Sequence, residues 1–76
     1  MNNYRRKDIV NIIQQLEELK EQITNVMTEE QDYYDNIPEN LQMSEKAEKS
    51  QNAISELENA ECFIDDVIFS LQTAME

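Results

Sequence analysis

Residues 35–44 read Asp35-Asn36-Ile37-Pro38-Glu39-Asn40-Leu41-Gln42-Met43-Ser44, and they decide the fold. Pro38 has no amide hydrogen to offer a helix, and it pushes Ile37 out of the α region. Asp35, Asn36 and Asn40 are turn and cap formers. Ser44 is placed to cap a following helix, with Glu45 where a helix N-terminus favours negative charge. A short turn of helix starting near Pro38 also fits. Ile37, Leu41 and Met43 are apolar, so the loop is expected to fold back onto the helix ends.

Two long helical patterns extend outward from this break. On the N-terminal side, Ile9, Ile12, Leu16, Leu19, Ile23, Val26 and Tyr33 follow alternating steps of three and four. Glu30 interrupts the series, and Ile13, Met27 and Tyr34 widen it on one side. Gln15, Glu17, Glu18, Lys20, Glu21 and Gln22 between them are good helix formers for a solvated face. The spacing predicts a helix over about residues 4–34. On the C-terminal side, a seam of Ala47, Ile54, Leu57, Ala60, Ile64, Val67, Ile68, Leu71, Ala74 and Met75 predicts a second helix over about 45–75. Neither Pro nor Gly interrupts it, and no stretch alternates as a strand does. Each helix is roughly 45 Å long at 1.5 Å per residue, and a short connection makes the two antiparallel neighbours. The expected fold is a single all-α domain, an antiparallel two-helix hairpin of coiled-coil type.

A hairpin gives each helix one partner and uses a narrow seam. The apolar arc of the second helix, from Phe63 round to Ile68, spans about 140°, and that of the first is comparable. Pairing two hairpins into a homodimeric four-helix bundle covers both arcs and enlarges a small core. Ile12, Leu16, Leu19, Ile23, Leu57, Ile64, Val67 and Leu71 are the expected core and dimer-interface residues. Cys62 and Phe69, seven apart, fall outside the main arc on one side of the helix.

Composition removes most chemistries. The 76 residues include 17 Asp and Glu, six Lys and Arg, one Cys, no His and no Gly, for a net charge of −11. A single Cys excludes an internal disulfide framework and a Cys-based zinc cage. Absence of His removes Ser-His-Asp, Cys-His and H-E-x-x-H chemistry. Absence of Gly removes phosphate-cradling loops. No cofactor is expected. No apolar run approaches a membrane span or a secretory signal, which implies a soluble, cytoplasmic chain.

Charge is uneven. Arg5, Arg6 and Lys7 hold half of the bases, and residues 8–76 carry three bases against the 17 acids. Such a body repels polyanions, so direct binding to nucleic acid or to an anionic membrane is not expected. Three bases beside Tyr4 are too few for a nucleic-acid arm. Glu17-Glu18-Leu19-Lys20-Glu21 is similar to the E-E-x-x-E element with which all-α nucleoside triphosphate pyrophosphohydrolases hold Mg²⁺. Those enzymes also carry E-x-x-D on the facing helix, where this chain has none, and the Leu16–Leu19–Ile23 seam turns the three carboxylates outward. A solvated face is the better account.

The segment Tyr34-Asp35-Asn36-Ile37-Pro38-Glu39-Asn40-Leu41-Gln42, followed by Ser44-Glu45, resembles the loop of a family of small helical-hairpin proteins. These are encoded by Gram-positive bacteria and their phages or prophages. They share a basic helix start like Arg5-Arg6-Lys7, a D-N-x-P-E-N-L-Q loop and an apolar stretch like Ile64 through Leu71. The family has Gly after the loop Gln, where this chain has Met43. The resemblance implies a hairpin in a phage or mobile-element setting and carries no activity.

The expectation is a small, acidic, non-enzymatic protein–protein interaction module. Its candidate contacts are the tip residues Tyr33, Tyr34, Ile37 and Leu41, the acids Glu58, Glu61, Asp65 and Asp66, and Phe69. Its partners would be a second copy of itself and a host protein with a basic surface. The alternative is an inhibitor whose rows of carboxylates imitate a phosphate backbone, with a Mg²⁺-dependent phosphohydrolase behind it.

Overall fold

The structure, a computed structural model, describes all 76 residues as two long antiparallel helices and no strand. Helix α1 spans Asn3–Asp35, a single 3-10 turn spans Glu39–Leu41, and α2 spans Glu45–Ala74. The all-α hairpin expected from the sequence is the fold observed. Its caps follow from local chemistry. The Asn2 side chain accepts a hydrogen bond from the Arg5 amide at 2.9 Å, and Ser44 Oγ accepts one from the Ala47 amide at 3.3 Å. Pro38 precedes the 3-10 turn in an extended conformation, and its carbonyl accepts from Leu41 N. No residue has positive φ, which is how a chain without glycine makes the reversal.

The contact between α1 and α2 follows a three–four alternation, strict on α1 and broadened on α2. Arg6, Ile9, Ile13, Leu16, Lys20, Ile23, Met27, Glu30 and Tyr34 are the shielded positions of α1. On α2 and its C-cap they are Ala47, Ser50, Ile54, Leu57, Glu61, Ile64, Ile68, Leu71 and Met75, with Ala53 and Ala60 shielded beside them. This corrects the seam drawn from the sequence. Leu16, Ile23, Leu57, Ile64 and Leu71 do lie between the helices. Ile12, Leu19, Val26, Tyr33 and Val67 do not; they keep between 45% and 52% of their surface exposed. Ile13, Met27 and Tyr34, read as a widening of the seam, are members of it. A strip of 3.5-residue period can be centred one position either way around the helix, and cross-helix pairing chose the more polar option.

That pairing is visible in the side chains. Lys20 Nζ lies 2.7 Å from Asp65 Oδ1, Thr24 Oγ1 donates to Glu61 Oε1, and Gln51 Nε2 donates to Tyr34 Oη at 2.8 Å. At the open end, Arg6 Nε donates to the Met75 carbonyl at 2.9 Å. Arg6 sits unfavourably at the positive end of α1, yet it meets the negative end of α2, whose last turn holds no base of its own.

At the closed end α2 approaches closely enough to bury Ala47 completely and Ser50 to 2% exposure. The loop is only partly folded back. Ile37 is half-buried and Leu41 exposed, while Met43, expected to join the packing, is 97% exposed.

The hairpin is a rod. Its Cα extents are 59 × 15 × 12 Å and its radius of gyration is 17.4 Å, against about 11 Å for a compact chain of this length. Only three residues are buried, so the inter-helix contact alone makes little enclosed core. No helix is long and apolar enough to cross a membrane.

Candidate functional site

The two broad sides of the rod differ in chemistry because the helices present different strips to each. One side is polar. Lys20, Thr24, Gln31, Gln51, Glu58, Glu61 and Asp65 line it, joined by the Lys20–Asp65 pair and the Thr24–Glu61 bond. The Asp65 hydrogen bond is the largest influence on Lys20. With the charges of Asp65 and Glu61, it holds the ammonium above its ordinary value of 10.5 against an opposing desolvation.

The other side is apolar. Leu19, Ile23 and Val26 of α1 face Leu57 and Ile64 of α2 across a shallow groove of about 380 Å³, in which Gln22 is the one polar residue. Heptad spacing extends the groove along the rod. Ile12, Leu19, Val26 and Tyr33 recur every seven residues on α1, and Ala53, Ala60, Val67 and Ala74 do so on α2. With the shared positions Ile9, Leu16 and Ile23, and Leu57, Ile64 and Leu71, each strip forms a second three–four seam overlapping the inner one. Between Ile9 and Tyr33 and between Ala53 and Ala74 this outer seam holds one charged residue, Glu30, and its next heptad positions are Arg5 and Lys46. The inner seam holds Arg6, Lys20, Glu30 and Glu61. The more apolar of the two seams is the one left in solvent.

Of the residues singled out from the sequence, Ile12, Leu16, Leu19, Ile23, Leu57, Ile64, Val67 and Leu71 all border this face or its floor. The tip residues Tyr33, Ile37 and Leu41 gather with Asn36, Pro38, Ser44 and Lys46 around a second concavity of about 280 Å³. Tyr34 belongs elsewhere, half-buried on the polar side. Glu58 and Asp66 are exposed, Asp65 is paired with Lys20, and Glu61 is half-buried in the inner seam. Phe69 and Phe63 are both largely exposed. By helical position Phe69 lies with Cys62 on the polar side and Phe63 flanks the apolar face. Glu17, Glu18 and Glu21 are exposed on α1, and no group of three or more Cys, Asp or Glu side chains is arranged to hold a metal ion.

Sequence reasoning missed Arg6, Lys20, Ser50 and Glu61 as inter-helix residues. A signal was present: each keeps the three–four spacing, and opposite charges at Lys20 and Glu61 suit facing positions. Comparison of the chain with known protein families, curated proteins and solved structures finds no match.

Proposed function

We propose that the chain is an acidic, non-enzymatic protein–protein interaction module that works as a homodimeric four-helix bundle. Its apolar faces are closed on one another and its carboxylate-rich sides are turned outward. The observation that carries this reading is the apolar seam left open to solvent along the rod, with Ile12, Leu19, Val26, Tyr33 and Val67 each about half exposed. Area supports it. The accessible surface is 5925 Å² for 9.0 kDa. A compact monomer of that mass exposes about 4,900 Å². The excess, on the order of 1,000 Å², is close to the ~800 Å² that each partner contributes to a standard interface. Burying it on a second copy completes a core that one hairpin lacks.

Light scattering across a concentration range tests the reading. Twice the mass of one chain is expected at micromolar concentration, and a one-chain mass at high micromolar would overturn it. The phage or mobile-element setting, an intracellular location and a host partner with a basic surface belong to the same proposal, resting on the loop resemblance and the charge.

A second reading is favoured by one observation: Glu56, Glu58, Asp65 and Asp66 are exposed on α2, and from Ser50 to the C-terminus no base accompanies them. Of these, Glu58 and Asp65 share one side of α2, and carboxylates so placed can occupy a groove shaped for phosphates. In that case a nucleic-acid-handling partner would be retained at low salt and released at high salt. Substituting Glu58→Gln, Asp65→Asn and Asp66→Asn together would abolish retention. Retention unchanged by salt would refute mimicry.

A further inference from the structure

The outer seam is asymmetric: its α1 edge is tall and its α2 edge is low. Ile12, Leu19, Val26 and Tyr33 stand along one edge, and Ala53, Ala60, Val67 and Ala74 along the other. The cross-hairpin bonds fix how the edges align. Lys20 meets Asp65, Thr24 meets Glu61, and Tyr34 meets Gln51. Counting from these pairs, Ile12 is level with Ala74, Leu19 with Val67, Val26 with Ala60 and Tyr33 with Ala53, each to within about 1.5 Å, one residue of rise.

A second copy can close this face about a two-fold axis in two ways. An axis across the bundle lays α1 on α1 and α2 on α2, tall edge on tall and low on low. An axis along the bundle lays α1 on the partner's α2 with no shift in level, so Ile12, Val26 and Tyr33 each meet an alanine and Leu19 meets Val67. Helix separation ranges over about 8–10 Å according to the side chains at the contact. The crossed arrangement asks one hairpin for a wide spacing on one edge and a narrow one on the other. The arrangement along the axis gives two identical contacts of one height, which is what close packing requires. Charge distinguishes them too. The crossed arrangement sets the base-free, acidic C-terminal half of α2 against the partner's N-terminal half of α2, whose Glu45, Glu48, Glu56 and Glu58 outnumber Lys46 and Lys49. The other keeps the two α2 helices on a diagonal and sets each acidic half beside the α1 segment that begins with Arg5, Arg6 and Lys7.

Building on the dimer reading, we propose that the second copy is seated about a two-fold axis along the bundle, α1 of each on α2 of the other. Both loops then lie at the same end. Two copies of the Tyr33–Ile37–Leu41 tip stand side by side there, making one twinned apolar surface, while the four chain ends gather at the opposite end.

Spin labels on the loop test this. Met43 is 97% exposed, so Met43→Cys in a Cys62→Ser background leaves the packing untouched. Pulsed dipolar spectroscopy on the labelled protein should give a distance of about 20–30 Å, one bundle width. A dimer mass with a distance of about 50 Å or more, near the 59 Å length of the rod, would overturn this arrangement and leave the dimer standing. A one-chain mass with no dipolar signal would overturn both and give the face to a different protein.

Discussion

Ser50 is shut into the closed end of the hairpin, and its hydroxyl has no hydrogen-bond partner. A buried hydroxyl left unpaired costs on the order of 1–3 kcal/mol, and only a small side chain fits where the helices come this close. Ser50→Ala should therefore stabilise the fold by about 1 kcal/mol, read as a higher urea midpoint at unchanged slope. Ser50→Leu should lower it by overpacking. Lys20 gives a pH signature. Its folded-state value is raised, so its contribution is complete below the ordinary lysine value of 10.5. That contribution is lost as the pH climbs through the higher folded value. Wild type should lose stability in that alkaline window, and Lys20→Met, which has no charge to lose, should show a flatter profile there. Equal profiles would mean that the pair with Asp65 contributes nothing measurable.

At the scale of elements, the Pro38 break and the Ser44 cap were legible in advance because their chemistry is local. Pro38 cannot continue a helix whatever packs against it, and Ser44 has the geometry of a cap in any context. Ser44→Ala should cost about 1 kcal/mol, with amide exchange quickening first in the opening turn of α2. Which strip of each helix turns inward is not local. Ile12 and Ile13 are neighbours on an arc that is apolar throughout, and either centring shares Ile9, Leu16 and Ile23. The choice is made across the gap, where Lys20 finds Asp65 and Tyr34 finds Gln51, and no spacing within one helix reports that. Met43 misled for a related reason: an apolar residue in a loop packs only if a neighbour is within reach, and here none is. Leu16→Asp, which places a charge at a position common to both seams, should abolish helical circular dichroism, since an uncompensated buried charge costs several kcal/mol. Leu19→Asp changes only the outer seam. It should abolish the two-chain mass and, unlike Leu16→Asp, leave the α1–α2 contact chemically intact.

For the whole molecule, the proposed dimer makes stability a property of two chains. The melting temperature should rise by several degrees for each tenfold increase in concentration, because association stabilises the folded state by mass action. A melting temperature independent of concentration would count against the dimer. The same five side chains, Leu16, Ile23, Leu57, Ile64 and Leu71, floor the outer face and hold the hairpin closed. A partner arriving on that face therefore tightens the contact beneath it, and its departure loosens the hairpin. In the proposed assembly, dosage is the control variable. Below a threshold set by self-affinity, newly made chains would be loosely closed and open to proteases; above it they would persist. A rod with so little core of its own thus measures how many copies surround it, and a modest change in synthesis would become a steep change in lifetime.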